Sequence, residues 1–240
     1  MIFYIQTENK KHCFDFGALA EIGCRQMKWK YKYFQDVSEI PYNPQHIVVG
    51  SVEQTLKYWE GRVQAPAAID LLDFKQFLGR EVRLIKSSEF LQTQKTYPVF
   101  AKPYDVIKAF DGTQLMSEFD AHLVLQHLDV VLAVQPILDI VSEYRMYVSD
   151  GRILTLKFYG AGDPLMFPDK NMMMECFDFA VQFLPHRSFC LDFGVIVQNG
   201  WTKTVLIEPN DAWAIGNYGL EPYMYVNFLK SRWLQITQKQ

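Results

Sequence analysis

Leu206-Ile207-Glu208-Pro209-Asn210-Asp211-Ala212-Trp213, read together with Leu191-Asp192-Phe193-Gly194, places three hard oxygen donors on what read as two neighbouring strands. Asp192, Glu208 and Asn210 are the donor types Mg²⁺ takes: one or two carboxylates, with phosphate oxygens and water completing an octahedron. Upstream, Val99-Phe100-Ala101-Lys102-Pro103 sets a lysine at the end of a strand, and lysine is a usual point charge for nucleotide phosphates. A lysine first and an acidic hairpin last point to Mg-ATP chemistry more than to a metal site alone.

The register of that hairpin decides whether the donors meet. Directly opposed residues of an antiparallel pair point to the same face. A two-residue loop, Asn199-Gly200, would set Asp192 opposite Ile207 and turn Glu208 away. A loop of three or five residues pairs Asp192 with Glu208, and three-residue hairpins often place a residue in the left-handed region, where Gly200 is at ease. The odd register is therefore expected, with Asn210 following Glu208 on the same face. A solvated acidic hairpin is the alternative. The apolar neighbours Leu206 and Ile207 argue that Glu208 lies near a core, where an unpaired carboxylate is costly.

The 240 residues suffice for one large domain or two small ones. Hydrophobic residues make up 49% and charged residues 21%, the balance of a globular protein with a substantial core. A net charge of −3 and a pI near 6.0 argue against a nucleic-acid partner. The run Lys28-Trp29-Lys30-Tyr31-Lys32-Tyr33 interleaves cations and aromatics, but its alternation fits one half-buried strand better than a base-stacking surface. No apolar run reaches the ~20 residues that span a bilayer, and the N-terminus lacks the pattern of a signal peptide. No membrane association and a cytoplasmic location are expected. Cys13, Cys24, Cys176 and Cys190 follow no zinc spacing; buried, reduced, structural thiols are expected.

Along the chain, residues 1–84 read as a small α/β unit, with strands over 2–6, 30–34 and 46–49. Helices are expected over 14–23, closed by Gly23, over 52–59, capped by Ser51, and over 70–78. A second unit, residues 85–240, then starts, with strand candidates around its beginning at 80–84 and 97–101. It carries a loop over 104–112, an ambiguous stretch over 117–127 and a strand over 130–135. A hairpin turns at Asp150-Gly151, and a helix over 171–184 precedes the acidic hairpin. A last helix over 222–237 starts with proline. Strands with scattered helices and two antiparallel hairpins make an α+β architecture.

The residues quoted so far, with Gly79-Arg80, Lys108-Ala109-Phe110-Asp111-Gly112, Ser142-Glu143-Tyr144-Arg145-Met146-Tyr147-Val148, Gly216-Asn217-Tyr218-Gly219 and Ser231-Arg232-Trp233, resemble the ATP-grasp superfamily. Within it, they look like the small clade of phages and bacteria with a reduced N-terminal region. The resemblance covers residues 79–233 and rests on the shared order and spacing of short motifs. It implies an ATP-grasp fold, two α+β subdomains gripping ATP, and an ATP-dependent carboxylate–amine ligase working through an acyl phosphate. By the same resemblance Lys102 holds the α- and β-phosphates and Lys108 covers the β- and γ-phosphates. Residues 135–141, with Gln135 and Ile137, form the adenine-reading hinge. Glu143 binds ribose or a substrate amine. Arg145 stabilises the transferring phosphate or clamps a substrate carboxylate. Asp192, Glu208 and Asn210 hold Mg²⁺, and Arg80, Lys157 and Arg232 face the acidic substrate. For those three cations a surface or ion-paired role is the alternative.

The phosphate loop departs from the pattern: it has a single glycine, Gly112, and so offers fewer free backbone amides to phosphate. Two other functions stay open from the sequence: a nucleotide-binding or interaction protein without ligase activity, and an ATP-dependent kinase that stops at phosphorylation.

Overall fold

The computed structural model describes residues 1–106, 109–160, 162–213 and 215–238. Its first sheet forms from β1 (Ile2–Glu8), β2 (Lys11–His12), β3 (Lys30–Phe34) and β4 (His46–Val49). β3 and β4 flank β1 in parallel, and β2 pairs antiparallel with its last two residues. Helix α1 (Asp15–Gln26) links β1 to β3, and α2 (Val52–Trp59) follows β4. The Ser51 hydroxyl accepts the Gln54 amide, the expected N-cap.

The expected end of the first helix at Gly23 is corrected: α1 runs three residues further. Gly23 is buried in its interior, where a Cβ would lie 2.2 Å from the Pro222 carbonyl oxygen. The glycine serves a close helix crossing, not a stop. Residues 71–77 are a 3-10 helix capped by Asp70, where a helix was expected.

The second sheet has the order β5-β8-β6-β7, from β5 (Arg83–Lys86), β6 (Val99–Pro103), β7 (Thr113–Leu115) and β8 (Val131–Gln135). Its pairs are all antiparallel. Helices α3 (Ser87–Thr93) and α4 (Glu118–Leu125) contribute Phe90, Ala121 and Leu125 to its core. The ambiguous stretch thus resolves as helix, with Ser117 capping it. The strand expected over 80–84 is corrected: it begins at Arg83 and runs to Lys86, its four residues pairing with 131–134 of β8.

The third sheet has the order β10-β9-β11-β12, from β9 (Ile140–Ser149), β10 (Arg152–Tyr159), β11 (Phe189–Gln198) and β12 (Trp201–Asp211). Helix α5 (Lys170–Phe183) supplies Met173, Cys176 and Ala180 to one core against it. Helix α6 (Pro222–Thr237) joins the first sheet, Tyr147 and Cys190 in another. At that junction Trp59 packs between Trp213 and Trp233, with ring centroids 5.1 and 5.0 Å away. No helix among the described residues is long and apolar enough to cross a membrane.

Candidate functional site

One face of the third sheet collects the predicted residues. Glu143 and Arg145 alternate along β9, and Asp192 on β11 lies opposite Arg145. Glu208 on β12 lies opposite Asp192. Asn210 follows two residues on. The expected pairing is present, but its cause differs from the expected odd loop. The turn is the two-residue Asn199-Gly200, with both residues at positive φ and Gln198 opposite Trp201. Further along, Phe193 faces Leu206 while Asp192 faces Glu208. Ile207 is therefore an extra residue, a β-bulge that flips the parity of everything after it. The Ile207 side chain lies over Gly194, where a Cβ would come within 2.8 Å of its Cδ1.

The donors form one hydrogen-bonded network. Arg145 donates from Nε to Asp192 Oδ1 at 2.7 Å and from its terminal nitrogen to Oδ2 at 2.5 Å. Asn210 donates from Nδ2 to Asp192 Oδ2 and to Glu208 Oε1, each at 3.1 Å. Lys102 at the end of β6 reaches across from the second sheet, its Nζ 3.0 Å from Glu208 Oε2. The Asp192 side chain is 1% exposed and that of Glu208 36%, so Glu208 is the donor open to an incoming cation.

Burial pushes Asp192 upward in pKa against the pull of the Arg145 hydrogen bonds. It opposes the Arg145 charge as well, yet the Asp192 bond outweighs it and holds the guanidinium above its ordinary value. Burial also raises Glu208, but the Lys102 charge and the Asn210 and Lys102 hydrogen bonds prevail, and the carboxyl sits below its ordinary value. Burial first, then the charges of Asp192 and Glu208, raise Glu143, and the opposing charge of Arg145 is outweighed.

Two tyrosines that the sequence reading passed over complete the site. The Arg145 guanidinium carbon lies 4.4 Å from the centroid of Tyr218 and 5.4 Å from that of Tyr159. The two rings stack with centroids 4.8 Å apart and planes 10° from parallel. The Tyr147 hydroxyl accepts the Tyr218 amide at 2.9 Å. Arg145 is thus fixed by a carboxylate and by ring faces, an arrangement suited to guanidinium. Tyr159 lies opposite Glu143 only because the register of β10 shifts between Ile153 and Thr155, so plain alternation from the Asp150-Gly151 turn does not find it. Tyr218 lies within one of the quoted motifs.

The other predicted residues divide. Lys157 lies opposite Arg145 on β10, on the same face, with Gly219 beside its stem. Gln135 ends β8, and Ile137 is half-buried in the irregular connection to β9. Arg80 does not point into the cluster; its guanidinium binds Gln135 Oε1 and the carbonyls of Leu78, Leu206 and Ile207. Arg232 pairs with Asp211 through two hydrogen bonds of 2.6 Å. Asp211 is one residue past Asn210 and so faces the other side of the sheet. There Arg232, His186 and residues 63–70 border a cavity of about 500 Å³, separate from the Asp192 cluster. Lys108 lies outside the described residues.

Two carboxylates and an amide in mutual contact are a fitting donor set for Mg²⁺. No group of three or more His, Cys, Asp or Glu suited to a metal occurs among the described residues; the third donor here is an amide. Asn210 would present its oxygen after a half-turn of the amide, which would also remove the N–H that now bridges the carboxylates.

An antiparallel sheet bearing the acidic cluster, faced by a second sheet bearing a lysine, is the ATP-grasp fold, and solved structures agree. Phosphoribosylamine–glycine ligase from Thermotoga maritima aligns over 98% of this chain and 76% of its own, with a TM-score of 0.61 at 11% identity. A RimK domain ATP-grasp protein from Sphaerobacter thermophilus aligns over 95% and 99%, with a TM-score of 0.58 at 12% identity. A macrocyclase bound with a precursor peptide, from Microcystis aeruginosa, aligns over 100% of both chains, with a TM-score of 0.53 at 11% identity. No curated protein matches the chain. Residues 77–228 match the family model of the ATP-grasp domain, family 2 of the R-two-K clade, and the chain belongs to that family.

Proposed function

We propose that this protein is an ATP-dependent carboxylate–amine ligase. The observation that carries the reading is the meeting of Lys102 with Glu208, Asn210, Asp192 and Arg145 across two sheets. ATP lies between the sheets, with Lys102 on its α- and β-phosphates and residues 135–141, including Gln135 and Ile137, along the adenine. Lys108 covers the β- and γ-phosphates. Glu208, Asn210 and Asp192 hold Mg²⁺, which when bound neutralises phosphate charge.

The substrate carboxylate attacks the γ-phosphorus, and ADP leaves. Arg145, already fixed by Asp192 and two tyrosines, compensates charge on the transferring group without reorganising. The amine then attacks the acyl phosphate carbon, and phosphate leaves as the nitrogen loses a proton. Glu143 binds the amine, and Lys157 on the same face draws the acidic partner. Arg80 and Arg232 are engaged by protein groups and are assigned no substrate. Residues 1–84 would form the N-terminal unit and 85–240 the ATP-grasp body.

The test is ADP release from ATP and Mg²⁺ across a panel of acids and amines, amino acids and peptides first. Release that needs both an acid and an amine is expected, with Glu208→Gln lowering it roughly 100-fold or more while the fold persists, since the metal supplies several kcal/mol of charge stabilisation. Release with no amine requirement would identify a kinase. A protein that binds no Mg-nucleotide would be a scaffold.

A further inference from the structure

Arg80 is a half-buried cation with no carboxylate bonded to it among the described residues. Its four hydrogen bonds go to neutral oxygens: Gln135 Oε1 from Nε at 2.8 Å, the carbonyls of Leu78 and Leu206 from one terminal nitrogen at 2.9 and 2.7 Å, and the Ile207 carbonyl from the other at 2.9 Å. Burial of this kind is costly for a charge, and it lowers the guanidinium to about 10, with the nearby charge of Glu208 opposing the fall. A costly group placed this way calls for a role.

Its partners locate that role. Leu206 and Ile207 are the residue before the bulge and the bulge residue itself. In a regular strand successive carbonyls point to opposite edges; here two successive carbonyls converge on one guanidinium. β12 is an edge strand of its sheet, so no further strand covers that side. Gln135 is the last residue of β8, at the entry to the connection between the second and third sheets. One planar fork thus ties the bulge to the start of that connection. Lysine, a single point donor, does not reproduce the fork.

We infer that Arg80 is a positioning residue: it holds the Ile207 bulge, and with it keeps Glu208 opposite Asp192, at a fixed place relative to the Gln135 end of the connection between the sheets. This rests on the Mg-ATP reading of the site, and it replaces direct substrate contact as the work of this arginine. Outer groups that orient metal ligands are worth about 10- to 100-fold in metal affinity.

Wild type, Arg80→Met and Arg80→Lys are compared in two measurements. The first is calorimetric titration with a non-hydrolysable ATP analogue, with and without Mg²⁺. Arg80→Met is expected to weaken the Mg²⁺-dependent part about tenfold or more and to change metal-free binding little. Added guanidinium ion should restore part of the loss, and Arg80→Lys should restore little. Equal weakening with and without Mg²⁺, or no weakening, would overturn the inference. The second measurement needs no nucleotide: backbone hydrogen exchange over residues 204–210 should speed up in Arg80→Met, with the first sheet unchanged. Unchanged exchange there overturns the inference by itself. A wild type that binds no Mg-nucleotide overturns the Mg-ATP reading instead, and the exchange result then decides whether Arg80 holds the bulge. Should Arg80→Met fail to fold, Arg80→Lys carries both measurements.

Discussion

Asp192, Glu208 and Glu143 are like charges on adjoining strands, and each is answered differently. Asp192 receives a two-toothed arginine, Glu208 a single lysine, and Glu143 no cation bond among the described residues. Lysine is the more replaceable partner, since it is a compact charge on a flexible stem. Lys102→Ala is expected to weaken ATP binding by about 2–3 kcal/mol, the scale of a charge-assisted contact; calorimetry would measure it, and unchanged affinity would remove Lys102 from the site. Glu143 yields a stability prediction. Its folded-state pKa lies above the ordinary 4.5, so the native state binds the proton more tightly than the unfolded chain. Below the unfolded value both states are protonated and nothing is lost. As pH rises through the folded value the charge becomes a cost. Glu143→Gln should therefore raise the thermal midpoint at pH 7, and the gain should vanish below about pH 4.5. Melting curves across that range would show it, and a gain that persists in acid would place its origin elsewhere.

At the scale of elements, the bulge in β12 governs the site. Were Ile207 paired regularly with Asp192 rather than bulged, the two-residue turn would carry Glu208 to the far face, because a shift of one residue inverts a strand. Gly194 makes room for that extra side chain: a Cβ there meets Ile207 Cδ1 at 2.8 Å. Gly194→Ala is expected to cost about 1–3 kcal/mol as an overpacked contact, read from denaturant unfolding. Ile207→Val in the same chain should recover part of it through coupling between touching residues. Simple additivity of the two substitutions would show that the bulge does not press on Gly194. The helix ends were legible at this scale where a side chain does the capping, as at Ser51. Gly23 was misread because a glycine that permits a close crossing looks the same as one that stops a helix.

At the scale of the molecule, α6 is the brace. It begins against Gly23 of α1 and, through Trp233, reaches the Pro44 carbonyl at 3.1 Å, 189 residues away in sequence. Trp233 is 1% exposed and packs on Trp59. Trp233→Ala should cost about 3–5 kcal/mol, as removal of a buried aromatic does. Because Tyr147 and Phe228 belong to the same core, the loss should extend to the third sheet as well as the first. Calorimetric unfolding that shows only the first sheet melting early would contradict this.

The α+β class, the strands of the third sheet, the final helix and the acidic donors were readable from the chain, because alternation, turn residues and proline at a helix start are local signals. So was the alternation that joins Glu143 to Arg145. The bulge was not, since an inserted residue leaves no mark in a continuous strand pattern. Nor was the fate of the cations. Arg80, Lys157 and Arg232 look alike as letters, yet the fold gives the first to backbone carbonyls, leaves the second on the site face and buries the third against Asp211. Which partner a long charged side chain meets depends on how separate elements pack, across 126 residues of sequence for Arg80 and 21 for Arg232, and only tertiary packing sets that.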